Sequence, residues 1–218
     1  MPYNADEFDE IFTNWISGVR DPILEWFRTE ESLKTKLQVL ENVLTISGHM
    51  WDENKLSLTQ IYVISKIAEE ITNQNLFTNH VEVVTNKEKP SLVIGTIADD
   101  NHALGKNILI RLLNPFFTVY DLGINVKPKS FVEKAKEVNA EIIAISLLMM
   151  NSINNIRKVR ELIEETHWKV RKPKMIVGGA PFKFDPMLFR RVKADDSARN
   201  ALEGVEKCLL ITNRGIII

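Results

Sequence analysis

The sequence has few of the features that build disulfides, cysteine metal clusters or membrane spans. Cys208 is the one cysteine among 218 residues, which excludes an intrachain disulfide and a cysteine cluster. No apolar run approaches the ~18–20 residues that a membrane helix needs. The first ten residues, MPYNADEFDE, are acidic and lack the basic and apolar regions of a signal peptide. We therefore expect a cytoplasmic protein with no membrane partner.

An excess of charge of one sign is also missing. The 28 basic side chains balance 29 acidic ones, so the formal net charge is −1. The basic residues are spread through the sequence and are not clustered in one segment. Because nucleic-acid-binding proteins carry clustered positive charge, we expect no nucleic-acid partner. The 44% hydrophobic content is sufficient for one large or two small domains.

The first part of the chain has apolar residues at helical spacing. Pro22, shortly after Gly18, is expected to divide the first helical stretch, while Gly48 is predicted to end a later helix and Ser57 to cap the next. Four helices joined by short loops predict a small bundle. The predicted helices are two within residues 7–28, one over 31–46 and one over 57–71, with a further short helix over 76–84.

Residues 85–90 are polar, charged and closed by a proline, which is typical of an interdomain linker. Beyond it, short apolar runs alternate with helical patterns about five times. Such alternation predicts an α/β domain with a doubly wound parallel sheet in the flavodoxin-like order. The predicted strands are 92–97, 117–121, 141–147, 174–177 and a brief fifth near 194–195, with helices over 104–113, 130–139, 151–166, 186–192 and 198–210.

A polar loop, Asp99-Asp100-Asn101-His102, follows the first predicted strand. Open α/β sheets bind ligands at the carboxyl ends of their strands. A histidine there can be a metal ligand whose far nitrogen is held by a nearby carboxylate, in this case Asp100. The alternative is a loop histidine that caps the next helix. His49, His80 and His167 show no metal-ligand spacing and are expected to be ordinary surface or loop residues.

Three ordered motifs make the sequence resemble a known family. They are Asp-x-His-x-x-Gly at Asp100, His102 and Gly105, Ser-x-Leu at Ser146-Leu147-Leu148, and the glycine pair Gly178-Gly179. The chain resembles corrinoid proteins of methyltransferase systems, in which a cobalamin domain of the methionine synthase type follows a helical cap. The resemblance implies a cap over residues 1–88 and a Rossmann-like cobalamin-binding domain over 89–218.

The resemblance also implies a site for base-off cobalamin. His102 would be the cobalt ligand, Asp100 would hold its other nitrogen, and Ser152 would complete the triad. Met50 and Trp51 would shield the upper corrin face. The alternative is that both residues belong to the core of the helical bundle and do not contact the cofactor. The glycines would admit the cofactor tail, or would only form turns. The remaining implied cofactor contacts are Asn101, Leu104, Gly105, Ser146, Leu148, Gly178, Gly179 and Ala180.

The function implied is that of a methyl carrier alternating between cob(I)alamin and methylcobalamin. Its partners would be a substrate-specific methyltransferase, an acceptor methyltransferase that uses tetrahydrofolate or a thiol, and a reductive activator. The alternative is a cobalamin-dependent regulator, but Trp51 is followed by Ile61-Tyr62 where such regulators carry Glu-His. One departure from the family pattern is Asp99, which stands where glycine is frequent.

Overall fold

The structure is a computed structural model that describes residues 5–74 and 89–212. The chain divides into two compact units, Met1–Val81 and Glu82–Ile218. The helix predicted over 76–84 and the linker residues 85–88 lie outside the described residues. The domain boundary predicted between residues 88 and 89 stays a prediction.

The first unit contains the four predicted helices. Trp15 is fully buried, its indole Nε1 donates to the carbonyl of Ile64 at 3.1 Å, and its ring meets Phe27 edge-on. Gly18 separates the first two helices with a φ of +72°, a conformation that glycine adopts at no steric cost. Pro22 lies in the first turn of the second helix, where its missing N–H is tolerated. The helices are α1 (Ala5–Ile16), α2 (Arg20–Thr29), α3 (Leu33–Asp52) and α4 (Leu58–Asn73).

The prediction that Gly48 ends the third helix is wrong. Helix α3 continues through Met50 and Trp51 to Asp52. Its end is formed by Asn54, which adopts φ +56°, and by the N–H of Lys55, which donates to the carbonyl of Met50 at 2.7 Å. Asparagine therefore takes the left-handed position that glycine usually supplies. The predicted cap at Ser57 is confirmed, with a complete capping box to Gln60.

The second unit is built on five parallel strands in the order β2-β1-β3-β4-β5, which confirms the flavodoxin-like prediction. The three central strands, β1, β3 and β4, are covered on both faces, which is why they read as continuous apolar runs. The strands are β1 (Ser91–Thr96), β2 (Thr118–Asp121), β3 (Ile142–Ser146), β4 (Lys174–Gly178) and β5 (Asp196–Ala198).

Helices cover the two faces of this sheet. Alternate strand residues such as Val93 and Ile143 pack with Phe131 on one face, and residues such as Ile94 and Ile142 pack on the other, where the core includes Cys208. The helices are α5 (Leu104–Leu113), α6 (Pro128–Glu137), α7 (Ile153–Glu165), α8 (Ala180–Phe184), α9 (Leu188–Arg191) and α10 (Ala201–Ile211), with a 3₁₀ turn over Met150–Ser152.

The last strand and helix begin later than predicted. Ser197 and Ala198 pair with β4, so they extend the sheet instead of opening the final helix. Asn200 then caps α10 by accepting from the backbone N–H of Glu203. Helix α8 is not predicted by the sequence pattern. Among the described residues, no helix is both long and apolar enough to cross a membrane.

Candidate functional site

The loop between β1 and α5 lies at the carboxyl edge of the sheet. Strand β1 sits between β2 and β3, so consecutive crossovers leave it in opposite directions and create the switch point at which such sheets bind ligands. The N–H of Ile97 donates to the carbonyl of Ser146 at 3.2 Å, which joins the ends of β1 and β3. The predicted ligand-bearing loop is therefore in the expected place.

Asp100 is the buried centre of this loop, with an exposed fraction of 1%. Its Oδ2 accepts from the backbone N–H groups of Leu148 at 2.5 Å and Met149 at 3.0 Å. Its Oδ1 accepts from the backbone N–H of His102 at 3.1 Å and lies 2.7 Å from the imidazole Nδ1. Two oxygens thus receive four hydrogen bonds.

These contacts keep the carboxylate ionised. Burial acts to raise the pKa of Asp100, but the amides of Leu148 and Met149, together with His102, outweigh it and hold that pKa below its usual value. An ionised carboxylate can only accept hydrogen bonds. The Nδ1 atom of His102 must therefore donate, and in the neutral imidazole this leaves the lone pair on Nε2.

His102 combines this fixed ring with access to solvent. Its side chain is 54% exposed, whereas that of Asp100 is completely buried. Among the described residues, Nε2 has no hydrogen-bond partner. An imidazole whose far nitrogen is held by a carboxylate is the usual form of a protein metal ligand. The described residues contain no group of three or more His, Cys, Asp or Glu side chains that could hold a metal ion.

Three residues that the sequence does not single out support the same loop. The hydroxyl of Thr96 donates to the carbonyl of His102 at 2.9 Å. Asn125 accepts from the N–H of Asp99 at 2.9 Å through Oδ1, and its own N–H donates to the carbonyl of Asp100 at 3.0 Å. Asn155 donates to the carbonyl of Ala98 and to the carboxylate of Asp99. Asn125 and Asn155 are distant in the chain, and none of the three residues belongs to a motif, so sequence analysis does not find them.

An ion pair between a buried lysine and an exposed aspartate fixes the beginning of α5 beside the loop. The side chain of Lys106 is 2% exposed, and its Nζ lies 2.8 and 2.7 Å from the two oxygens of Asp121 at the end of β2. Asn107 Oδ1 accepts from the same ammonium at 2.9 Å. The pair therefore holds the helix that carries Leu104, a partly buried residue, and Gly105.

The Ser-x-Leu segment contributes through its backbone as well as its side chains. Ser146 ends β3, paired with Thr96 on one side and Gly178 on the other. Leu148 is 42% exposed, and its N–H is one of the two amides on Asp100. Ser152 is fully buried, but its hydroxyl is hydrogen-bonded to Asn151 at 3.3 Å and, among the described residues, to neither member of the Asp100–His102 pair.

The three motif glycines have different surroundings. A Cβ on Gly105 would meet nothing within 4 Å, and one on Gly178 would lie 3.4 Å from the carbonyl oxygen of Ala198. A Cβ on Gly179 would lie 1.9 Å from the carbonyl oxygen of Leu147, and this residue has φ +118°. The backbone itself therefore requires glycine at 179, whereas the space beside Gly105 is open.

An apolar pocket of about 290 Å³ lies beside these motifs. It lies at the carboxyl ends of β3 and β4 and includes two of the predicted contacts, Leu148 and Ala180. Open space at Gly105, the accessible imidazole of His102 and an apolar pocket would together suit a cofactor that takes a histidine ligand and has an apolar part. The pocket is lined by Leu148, Met150, Ala180, Pro181, Phe184, Asp185 and Leu188.

The other predicted contacts are accessible. Asn101 is exposed beside His102. In the helical unit, Trp51 is 47% exposed and Met50 is half-buried, both in the last turn of α3. Trp51 is therefore not part of the bundle core. Roles for Met50 and Trp51 in covering a corrin stay predictions.

Residues 90–206 match the B12 binding domain. This stretch contains all the predicted site residues except Met50 and Trp51. The chain therefore belongs to the B12-binding domain family, and its cofactor is cobalamin.

Within that class, the chain is similar to methylamine corrinoid proteins. It is 31% identical to Dimethylamine corrinoid protein 2 of Methanosarcina mazei, over 95% of this chain and 97% of that protein. It is 32% identical to Dimethylamine corrinoid protein 1 of the same organism, over 95% and 96%. The solved structure of the Methanosarcina barkeri monomethylamine corrinoid protein gives a TM-score of 0.76 at 22% identity, over 96% and 100%, which shows a shared fold.

Proposed function

We propose that this protein is a methyl carrier that binds cobalamin base-off, with His102 as the protein ligand of cobalt. The observation that carries the proposal is the Asp100–His102 pair, in which a buried carboxylate fixes the ring and leaves Nε2 available. The similarity to corrinoid proteins over nearly the whole chain supports it. When bound, the cobalt of cobalamin supplies the centre that accepts a methyl group and gives it up again.

The residues of this chain orient and accommodate that group. Asp100 holds the Nδ1 proton of His102 and so keeps the lone pair on Nε2. Gly105 and the pocket beside Leu148 and Ala180 leave room for the displaced nucleotide tail. Ser146 and Gly178 are paired neighbours at the ends of β3 and β4, and they are the further contacts proposed for that tail.

We further propose that the methyl donor is a methylated amine. The support is the names of the similar proteins, which are dimethylamine and trimethylamine corrinoid proteins of Methanosarcina. The proposed partners are a methyltransferase specific for that donor, an acceptor methyltransferase with tetrahydrofolate or a thiol as acceptor, and a reductive activator.

The test is an electron paramagnetic resonance spectrum of the protein loaded with Co(II) cobalamin, labelled with nitrogen-15 in its benzimidazole. The wild type is expected to show splitting from an unlabelled axial nitrogen, because His102 and not the benzimidazole holds the cobalt. His102→Ala is expected to lose that splitting.

His167→Ala is the matched control, since His167 is an exposed histidine of the same unit. It should keep the wild-type spectrum. Splitting from the labelled nitrogen in the wild type would mean base-on binding, and an unchanged spectrum in His102→Ala would assign the ligand to another residue. Either result would contradict the proposed site.

A further inference from the structure

Asp99 adopts a left-handed backbone conformation. Its φ is +67°, in the left-handed region that glycine occupies readily and most other residues avoid. It directly precedes Asp100 and lies three residues before His102. Other contacts must therefore hold this part of the loop in place.

Asn155 on α7 supplies two of those contacts with one amide group. Its Nδ2 donates to the carbonyl of Ala98 at 3.2 Å and to Oδ2 of Asp99 at 3.0 Å. Its Oδ1 accepts from Lys158 Nζ at 3.4 Å, one turn further along the helix. Because the oxygen faces Lys158, both amide hydrogens are directed to the loop.

These two bonds hold the left-handed residue at two points. One holds the carbonyl just before Asp99, and the other holds the Asp99 side chain. On the opposite side, Asn125 accepts from the N–H of Asp99. The left-handed turn is therefore held from α7 by Asn155 and from the segment after β2 by Asn125.

We propose that Asn155, acting through Ala98 and Asp99, is a positioning residue for the cobalt ligand His102. This inference rests on the proposed function, since it concerns the loop that carries the proposed ligand. Asn155 contacts the loop backbone and one carboxylate, not the imidazole. Its loss should therefore leave cobalamin binding intact and reduce the fraction of cobalt that His102 holds.

The experiment measures the Co(II) cobalamin spectrum of Asn155→Ala in the full chain, with the same labelled cofactor. Cobalamin should remain bound at the wild-type stoichiometry. The ratio of histidine-held to histidine-free cobalt should fall about tenfold, the effect of losing one to two hydrogen bonds. Asn154→Ala is the matched control, because Asn154 is the exposed neighbour on the same helix, and it should match the wild type.

A second substitution tests the mechanism. Glycine accepts φ +67° without steric cost, so Asp99→Gly combined with Asn155→Ala should restore the ratio to within about twofold of the wild type. A residue that only stabilises α7 would not be rescued by a change in the loop. Failure of this rescue would overturn the proposed route through Asp99.

The outcomes separate the two proposals. If the wild type shows the protein nitrogen and Asn155→Ala keeps it in full, only the role of Asn155 is overturned. If the wild type shows no protein nitrogen, the proposed site fails and this inference fails with it. Should Asn155→Ala not fold, Asn155→Asp carries the same test. That variant keeps the side-chain size and places a carboxylate against Asp99, so an unchanged spectrum would overturn the inference.

Discussion

At the scale of single residues, two glycines of the site differ in what surrounds them. A side chain at 179 would collide with the carbonyl of Leu147 whether or not a cofactor is bound, and φ +118° adds backbone strain. Loss of binding in a Gly179 variant would therefore say little about the cofactor. Gly105 meets no such restriction, so its substitution isolates the effect on cobalamin.

We predict that Gly105→Ala and Gly105→Leu fold normally and bind cobalamin more weakly. Alanine in a helix is favoured over glycine, so the free energy of unfolding should stay level or rise by about 0.5 kcal/mol. Overlap with the cofactor tail should lower the affinity about tenfold for alanine and further for leucine. Urea unfolding and cobalamin titration measure the two quantities.

Gly48→Ala is the control for these variants, because Gly48 is also helical with nothing within 4 Å of its missing Cβ. It should share the change in stability and keep the affinity. Wild-type affinity in both Gly105 variants would show that the space beside this glycine is not used by the cofactor.

At the scale of elements, Asp195 ties α7 to the beginning of β4 and β5. Its carboxylate accepts from the N–H of Met175 at 2.7 Å, pairs with Arg160, and lies 3.2 Å from Lys174 Nζ. Burial acts to raise the pKa of Asp195, but the Met175 amide and Arg160 outweigh it and hold the pKa below its usual value. The charged form therefore stabilises the fold.

This predicts a pH-dependent stability that Asp195→Asn removes. Because the folded pKa is lowered, the contribution is present above about pH 5 and is lost as the pH falls below about 4. At pH 7 the variant should lose about 1–2 kcal/mol, because Arg160, 8% exposed, loses the charge of Asp195 but keeps Glu164 and the carbonyl of Lys193 as partners. At about pH 2.5 the two proteins should differ far less, as measured by urea unfolding.

The exposed Glu161 provides a control for the same experiment. It lies on α7, and within residues 5–74 and 89–212 its ion pair is the one along the helix with Arg157. Glu161→Gln should therefore change the stability by no more than about 0.5 kcal/mol. If Asp195→Asn changed the stability equally at both pH values, the effect would come from packing and not from the charge.

The elements show which features a sequence makes predictable. The apolar runs of β1 and β3 locate the sheet. Parallel strands that are buried on both faces have apolar residues at successive positions, and this pattern is easily seen in a sequence. The end of α3 is mispredicted, since Gly48 lies within the helix and Asn54, six residues later, takes the left-handed position expected of a glycine. Strand β5 is mispredicted because its pairing to β4 extends over three residues and leaves no periodic signal.

The site divides in the same way. Asp100 and His102 are predictable because their spacing is local and their chemistry is in their side chains. Asn155 and Asn125 are not, since they reach the loop across 56 and 26 residues of sequence. The amides of Leu148 and Met149 are equally hidden, because a backbone donor leaves no trace in the residue type.

At the scale of the whole molecule, the proposed function needs a methylated amine as donor. We predict that the protein, reduced in its cobalamin-loaded form, takes up a carbon-13 methyl group from dimethylamine in the presence of a dimethylamine-specific methyltransferase. Methanol with a methanol-specific methyltransferase should give little uptake, because each transferase must fit its own carrier. Nuclear magnetic resonance of the bound methyl group measures the uptake.

His102→Ala serves as the comparison in that assay and should retain cobalamin with slower uptake. Uptake from methanol that equals or exceeds uptake from dimethylamine would contradict the proposed donor while leaving the carrier role in place. Uptake from neither donor would leave the carrier role without support.

The two amides on Asp100 have an evolutionary consequence. Every residue except proline carries a backbone N–H, so positions 148 and 149 can change side chain repeatedly and still hold the carboxylate in the same way. Selection for the anchoring of Asp100 would thus act on those positions only by excluding proline. Substitutions other than proline at positions 148 and 149 should therefore leave the bonds that hold Asp100 intact, whatever they do to contacts with the cofactor.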